Sequence, residues 1–198
     1  WTQLDNAIAE DDWDLIIRRL DSAGVSQGRS FLGNASATVH AYVPKIAGRG
    51  GRYGACWGED PNPAGAQANG WANEIWVQRF DWSETSASAT SFDRVRVRAG
   101  GAADFWNGNI AYDNNTDSHL ALVYHSDAWD VFAARVGYDG GVCEAVTVYN
   151  TASLAFSPGI TFDDDNNRFP LVFTANETGA EPNPVYGRLF VYPTFGAP

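Results

Sequence analysis

The sequence predicts an all-β fold built from short strands, and three observations point to it. Aromatic residues make up 14% of the 198 residues, with 20 Gly and 9 Pro, a composition that suits pleated strands and tight turns. Short apolar runs alternate with polar turns along the chain. The same order of strand patterns recurs several times. Together these features predict that no helix is longer than one or two turns.

The charge balance excludes some classes of partner. Thirteen Lys and Arg against 24 Asp and Glu give a net charge of −11. Binding to nucleic acid or to an anionic membrane requires a cationic surface, so we expect neither. No apolar run approaches the roughly 20 residues that a membrane-spanning helix needs, so we predict that the chain does not span a membrane.

The clearest repeat is a pair of strands joined by a polar hairpin, which we name strands A and B. Residues 109–113 and 120–124 carry one copy, Asn-Ile-Ala-Tyr-Asp followed by Leu-Ala-Leu-Val-Tyr. Residues 159–163 and 169–173 carry a second, Gly-Ile-Thr-Phe-Asp followed by Phe-Pro-Leu-Val-Phe. Residues 44–57 contain a weaker third copy. Each copy predicts an antiparallel hairpin.

A third strand, C, follows each pair and ends in arginine. A polar residue stands five places before Arg19, Arg79, Arg135 and Arg188, with apolar or aromatic residues between. A turn and a fourth short strand, D, come next. Four short strands in each unit of about 50 residues are typical of a β-propeller blade. We therefore predict a propeller-like domain of three to four blades, with a β-sandwich as the alternative architecture.

The predicted domain covers residues 1–198, with repeat units at roughly 1–40, 41–100, 101–150 and 151–198. The first unit begins within strand B, and the last stops soon after strand C. We therefore expect the ends of the ring to be incomplete, or to be completed by another segment.

The third unit contains Ile110-Ala-Tyr-Asp, Leu120-Ala-Leu-Val-Tyr and Asp130-Val-Phe-Ala-Ala-Arg-Val-Gly-Tyr-Asp-Gly. These motifs resemble the blade repeats of secreted and cell-surface bacterial β-propeller proteins. There, an Ala-Tyr-Asp strand precedes a Leu-Val-Val-Trp/Tyr strand and an Ala-Arg-Arg-Val strand that closes on Asp-Gly. The resemblance implies a propeller fold and an extracellular, cell-surface or periplasmic location. It implies no activity, because propellers support many unrelated functions.

Large aromatic side chains collect in the B–C and D–A connections, which leave a propeller on the same face. Flat rings suit stacking on a sugar or anchoring a protein partner, although they also suit covering the ends of the blades. The predicted function is a binding or assembly module for a glycan or protein partner, within an oligomer or larger complex. The candidate ligand-binding residues are Trp57, Trp71, Trp106, Trp129, His40 and Tyr42.

No motif assigns a catalytic residue, so we expect a binding protein more than an enzyme. Gly24-Val-Ser-Gln-Gly28 matches a nucleophile elbow but lies between two predicted strands, where a turn explains it. One alternative is a carbohydrate-active enzyme with a pair of carboxylates. Another is a structural subunit of a larger surface assembly. Asp14, Glu74 and Asp130 recur in register, which indicates a turn or a partner for the recurring arginine.

No cofactor is predicted apart from calcium, at two of the A–B hairpins. Oxygen-bearing side chains stand there at alternate positions, the spacing that calcium loops use. The alternative is that Asn and Asp simply favour hairpins. The candidate ligands are Asp113, Asn115 and Asp117 in one hairpin and Asp163, Asp165 and Asn167 in the other. Cys56 and Cys143 are either bridged or two buried thiols.

Overall fold

The structure, a computed structural model, describes residues 2–4, 13–32, 40–60, 74–83, 85–86, 88–98, 105–115, 119–126, 128–137, 144–150, 154–176 and 184–190. Over these residues it contains β-strands and no helix, which confirms the predicted all-β fold. The strands are β1 (Thr2–Leu4), β2 (Trp13–Leu20), β3 (Ser26–Leu32), β4 (His40–Arg49), β5 (Arg52–Asp60), β6 (Glu74–Asp81), β7 (Thr90–Ser91), β8 (Val95–Arg98), β9 (Phe105–Tyr112), β10 (His119–Ser126), β11 (Val131–Gly137), β12 (Glu144–Tyr149), β13 (Leu154–Ile160), β14 (Phe169–Asn176) and β15 (Val185–Phe190).

The described strands form four antiparallel sheets, each built from strands that are consecutive in the chain. The first sheet has the order β1-β2-β3, the third β12-β11-β10-β9 and the fourth β13-β14-β15. The second has the order β4-β5-β6-β7, and β8 also pairs with β6. Antiparallel neighbours need only a hairpin between them, so this order follows from the short polar turns of the sequence.

The repeat pattern coincides with this pairing. Strands A are β4, β9 and β13, and each pairs with the strand B that follows it, β5, β10 or β14. The arginine-ending strands C are β2, β6, β11 and β15. Among the described residues, the first sheet contains strands B, C and D, and the fourth contains A, B and C. The described strands form four sheets, whereas a β-sandwich would have two.

The sheets stack face to face in chain order, and a separate apolar cluster fills each of the three interfaces between them. Each cluster draws its residues from two successive sheets, so every inner sheet is covered on both faces. Representative pairs from the three clusters are Leu15 with Trp57, Val77 with Leu120, and Val123 with Phe169.

Strand β10 shows why the inner strands are apolar along their length. Leu120 and Tyr124 belong to the cluster shared with the second sheet, whereas Ala121 and Val123 belong to the cluster shared with the fourth. All four residues are fully buried. Successive side chains of a strand point to opposite faces, so the part of a strand that is covered on both faces is apolar at consecutive positions, as β10 is from Leu120 to Tyr124.

Two glycines allow neighbouring sheets to approach closely. A Cβ at Gly54 in β5 would meet the side chain of Leu120 in the third sheet. A Cβ at Gly108 in β9 would lie 2.8 Å from the backbone oxygens of both Val123 and Pro158, and Pro158 belongs to the fourth sheet. A larger residue at Gly108 would have to displace neighbouring backbone, whereas one at Gly54 would have to displace the side chain of Leu120.

The A–B hairpins of three sheets lie together at one end of the stack. Arg49 and Arg52 of the second sheet line the same open cleft as Asn114 of the third. The Nδ2 of Asn115 donates to the backbone oxygen of Asp164 in the fourth. The other ends of these strands therefore also lie together, at what we name the B–C end.

Two further expectations can be compared with the fold. Within the described residues, no helix is long and apolar enough to cross a membrane. Cys56 is a buried thiol of β5, and Cys143 lies outside the described residues.

Candidate functional site

The predicted aromatic platform includes one residue that the structure places in the interior. Trp57 is fully buried in the cluster between the first and second sheets. Its Nε1 donates a hydrogen bond of 2.8 Å to Oε1 of Glu59. A platform requires an accessible ring, so the prediction that Trp57 belongs to the platform is corrected. Trp57 is a core residue whose indole nitrogen has a hydrogen-bond partner.

Trp129 is half-buried at the B–C end of the third sheet. Its ring stacks on His125, with centroids 5.6 Å apart and planes 9° from parallel. The ring of Phe156 from the fourth sheet lies at 81° to it, with centroids 6.1 Å apart. The backbone oxygen of Trp129 accepts a hydrogen bond from the amide of Ala155. These contacts link two sheets, which supports the alternative that this ring covers the ends of the strands.

The other members of the predicted platform are only partly described. His40 and Tyr42 lie in β4, where they pair with Asp60 and Gly58, and Trp106 lies in β9. All three backbones are near the B–C end, and their side chains are outside what the structure describes. Trp71 lies outside the described residues. The platform as a whole stays a prediction.

The first calcium candidate uses its carboxylate within the hairpin. Asp113 is 1% exposed, and its Oδ1 accepts a hydrogen bond of 2.9 Å from the amide of Asn115. Asn115 is exposed and donates its own side-chain hydrogen bond to Asp164, while Asp117 lies outside the described residues. An Asp that binds the backbone two residues on is the usual arrangement of an Asx turn.

The second calcium candidate closes its hairpin in a similar way. Asp163 accepts hydrogen bonds from Asn166 and from Nε of Arg168, at 2.9 Å for the latter. These contacts, led by Arg168, hold the pKa of Asp163 below its ordinary value. Asp165 and Asn167 are exposed. No three His, Cys, Asp or Glu side chains of the described residues gather as metal ligands, and calcium stays a prediction.

A cluster of charged and aromatic side chains that the sequence analysis missed lies at the B–C end of the second sheet. We name it the Glu–Arg–Trp cluster, and it consists of Glu59, Glu74, Trp76, Arg94 and Arg96. Glu59 and Glu74 occupy directly opposite positions on β5 and β6. Side chains at such positions are neighbours on one face of the sheet, so the two carboxylates would repel each other without cations beside them.

Arginines from strand D supply those cations. One guanidinium nitrogen of Arg94 lies 2.7 and 2.8 Å from the two carboxylate oxygens of Glu59. Arg96 lies 2.9 Å from Glu74. Both guanidinium groups also lie near the ring of Trp76, at 4.0 and 5.8 Å from its centroid. Trp76 in turn donates its Nε1 hydrogen bond to Glu74.

The cluster is layered by exposure. The carboxylates are inside, with side-chain exposures of 4% for Glu59 and 12% for Glu74. The arginines are outside, at 26% for Arg94 and 50% for Arg96. Burial raises the pKa of Glu59 above its ordinary value, even though Trp57 and Arg94 oppose the shift. The accessible part of the cluster is therefore mainly cationic.

The expected partner of the recurring arginine is different in the structure. Glu74 binds Arg96, not Arg79, because five residues of extended strand separate Glu74 from Arg79 by about 17 Å. The guanidinium of Arg79 lies 5.1 Å from the ring of Phe92 instead. The alternation of Arg and Val over residues 94–98 was the available signal, since arginines at alternate positions beside a strand of the sheet require partners.

The motif at residues 24–28 covers the end of a turn between two strands and the start of the second strand, as expected. The turn joins β2 to β3, and Gly24 has a positive φ of 80°. Asp21 accepts hydrogen bonds from the amides of Ala23 and Val25. No helix follows it, so the strand-turn-helix geometry of a nucleophile elbow is not formed here.

Comparison with known proteins adds no assignment to this geometry. No protein-family model matches the chain, and a search of curated proteins finds no significant match.

Proposed function

We propose that the chain is an extracytoplasmic binding or assembly module whose sheets are arranged like propeller blades and whose B–C end binds a partner. Support for the blade arrangement comes from the order of the sheets, which stack in sequence with their A–B hairpins at one end. The location rests on the resemblance to repeats of secreted and cell-surface proteins. Loops on a rigid β frame are a common position for recognition.

The observation that carries the proposal is the Glu–Arg–Trp cluster. It is absent from the equivalent described end of the third sheet, where His125 and Trp129 lie. A feature that the second sheet has and the described part of the third sheet lacks is more informative about function than the shared frame. The more exposed groups of the cluster, Arg94 and Arg96, lie against the ring of Trp76, and Arg and Trp are types that dominate binding energy at protein interfaces. Their ion pairs fix their positions before binding, which limits the entropy lost.

This composition favours a protein partner over a glycan. Guanidinium groups bind carboxylates and backbone oxygens well, and Arg and Trp are enriched at protein interfaces. A glycan would require an uncovered aromatic face, and a guanidinium lies 4.0 Å from the ring centre of Trp76. The rings of Trp71 and Trp106 could add such a face, so a glycan is the other outcome that the test distinguishes.

The opposed carboxylates also raise the possibility of glycoside cleavage, since a raised pKa suits a general acid. Glu59 is buried, and Arg94 donates hydrogen bonds to both of its carboxylate oxygens. Arg96 donates a hydrogen bond to the carboxylate of Glu74. These contacts support a structural role for the pair. Glu59→Gln separates the two functions, because it would abolish turnover of a glycoside by an enzyme and leave binding by a module largely intact.

The test measures binding by the intact chain to a glycan array and to purified surface proteins of its source. Arg96→Ala changes a half-exposed arginine of the cluster, and Arg49→Ala changes an exposed arginine at the opposite end as the matched control. We expect Arg96→Ala to weaken binding of a protein partner by about tenfold or more, and Arg49→Ala to leave it unchanged. Equal affinities of the two variants would exclude the cluster from the binding surface.

Glycan binding has its own variants. If the array gives a ligand, Trp71→Ala and Trp106→Ala should reduce that binding while thermal unfolding stays close to wild type. A loss of stability with intact binding in the folded fraction would assign these rings to the interior instead.

A further inference from the structure

Arginines stand at alternate positions over residues 94–98, in and beside strand β8, and a β-bulge divides them between two faces of the sheet. Arg96 pairs with Trp76 of β6. Arg98 pairs with Ile75, one position earlier in β6, so Val97 is the extra residue of the bulge. Paired residues share a face, and neighbouring residues of β6 point to opposite faces. The bulge therefore turns Arg98 away from the face of Arg96 and toward the third sheet.

Two aromatic rings of the third sheet fix the position of Arg98. Its guanidinium carbon lies 5.4 Å from the ring centre of Phe105 and 5.4 Å from that of Phe132. Among the side chains that the structure describes, no carboxylate pairs with Arg98. The residue is exposed, and contact with ring faces leaves the N–H groups at the edge of a guanidinium able to donate. Arg98 is therefore a positioned cation whose donors can reach a ligand.

The two arginines on the other face also keep donors for a ligand. Arg94 uses one terminal nitrogen for both of its contacts with Glu59. Arg96 likewise uses one terminal nitrogen for Glu74. A guanidinium has five N–H groups on three nitrogens, so its other two nitrogens remain after these contacts. Both side chains are partly exposed, which makes such donors accessible to a partner.

The carboxylates at this end of the second sheet lie inside, beneath the arginines. Glu59 and Asp60 are buried, and Glu74 is nearly so. Asp93 is exposed, but it precedes β8 on the side toward the A–B end. The sequence of residues 61–73, which connects β5 to β6, contains no charged residue. The described surface at the B–C end of β8 therefore presents mainly guanidinium groups, in a chain whose net charge is −11.

We propose that Arg94, Arg96 and Arg98 bind an acidic segment of the protein partner, which lies across β8 and places carboxylates on both of its faces. This inference rests on the proposed function and names the chemistry of the partner at the same site. Carboxylates accept paired hydrogen bonds from guanidinium groups, and the existing contacts of the arginines position those groups before binding. Arg98 extends the binding surface beyond the Glu–Arg–Trp cluster to the edge of the third sheet.

The test uses a labelled acidic peptide and the intact chain. The probe is a peptide of alternating Ser and Glu, about eight residues long, which spans residues 94–98 when extended. Its control has Gln in place of every Glu, and fluorescence anisotropy at low ionic strength measures the binding of both.

The variants each remove one guanidinium. Arg96→Gln and Arg98→Gln change the two more exposed arginines of the surface, and Arg49→Gln, at an exposed position of the opposite end, is the matched control. Circular dichroism and thermal unfolding check that each variant folds. Arg98→Met, which keeps an unbranched chain against the two rings, replaces Arg98→Gln if that variant does not fold.

We expect wild type and Arg49→Gln to bind the Glu peptide equally, and Arg96→Gln and Arg98→Gln to bind it about fivefold more weakly or worse. Added salt should weaken the binding, because it screens exposed charges. The proposal is overturned if wild type shows no binding at about millimolar peptide, or binds the Gln peptide equally well. It is also overturned if Arg98→Gln binds the Glu peptide as tightly as Arg49→Gln does.

Two further outcomes separate this inference from others. If a sulfated oligosaccharide binds through the same arginines and the Glu peptide does not compete, the ligand is an acidic glycan and the proposal is overturned. If the Glu peptide does not bind, but Arg96→Ala still weakens binding of a protein partner, the acidic segment is excluded and the proposed function stands.

Discussion

The second and third sheets share one strand frame. In each, an aromatic residue of strand B pairs with an aromatic residue of strand C, Trp57 with Trp76 and Tyr124 with Phe132. The rings of Tyr124 and Phe132 are stacked, with centroids 5.3 Å apart. The same kind of apolar pair occurs in both sheets because both are covered on two faces.

The two sheets differ where the frame ends. Beyond the aromatic pair, the second sheet buries Glu59 beneath Arg94, whereas the third buries His125 against Trp129. One end therefore depends on an ion pair and the other on an aromatic stack. The repeat therefore determines the apolar pairing inside the two sheets. Their B–C ends differ in chemistry and in their response to pH.

The largest expected effect comes from breaking the frame itself. Gly108→Ala would place a Cβ 2.8 Å from two backbone oxygens, which cannot move without shifting β9 against β10 and β13. Gly54→Ala would meet the side chain of Leu120, which can rotate at some cost. We expect Gly108→Ala to lower the free energy of unfolding by about 3 kcal/mol and Gly54→Ala by about 1–2 kcal/mol. Chemical denaturation measures both.

Gly187→Ala is the control for these glycine variants. A Cβ there would have its nearest neighbour at 4.0 Å, which is an ordinary contact. We expect a change within about 0.5 kcal/mol. If Gly108→Ala were equally mild, the third and fourth sheets would not be packed as closely as the structure has them.

The next largest effect separates the two arginines of the second sheet. Arg94→Ala leaves the buried carboxylate of Glu59 without its guanidinium partner, and we expect a loss of about 2 kcal/mol in unfolding free energy. Arg96→Ala removes a half-exposed ion pair, for which about 0.5 kcal/mol is typical. Thermal and urea unfolding at neutral pH measure both variants. Similar losses would mean that Glu59 is better hydrated than its burial indicates.

The strands were predictable from the sequence because their cause is local. In β10 and β14, apolar runs that include β-branched and aromatic residues lie between polar turns, and the repeat placed four strands in order. The interruption of strand D into β7 and β8 was not predictable, since that unit departs most from the repeat. The turn at residues 24–28 followed from its glycines.

The candidate site was less predictable because its contacts join distant residues. Glu59 and Arg94 are 35 positions apart, and only the register of three strands brings them together. Trp57 was assigned to the surface because it ends a strand. The period of a strand says which residues share a face, and the stacking of the first sheet decides that this face is buried.

His125 gives the third sheet an acid sensitivity of its own. Burial lowers the pKa of His125 below its ordinary value of 6.5, so the unfolded chain binds a proton that the folded chain resists. Stability should therefore fall as the pH falls through about 6.5. His125→Phe keeps a flat ring against Trp129 and should remove this pH-dependent part of the stability. Unfolding free energies of wild type and variant from pH 8 to 5 measure it. Parallel curves would contradict the lowered pKa.

Glu59 gives the second sheet the opposite response, which is the smallest effect expected. Its pKa is raised from 4.5 by burial, so the folded chain holds a proton that the unfolded chain has already released. The stability that this proton provides is complete below about pH 4.5 and is lost as the pH rises through the folded pKa. Glu59→Gln keeps an acceptor for Trp57 and removes the titration. The stability of wild type relative to this variant should therefore decrease from pH 4 to 7.

Asp163→Asn is the control of opposite sign, because Asp163 has a lowered pKa and its contribution to stability is lost as the pH falls toward 3.8 and below. If both differences changed in the same direction, the ion pair with Arg94 would outweigh the burial of Glu59.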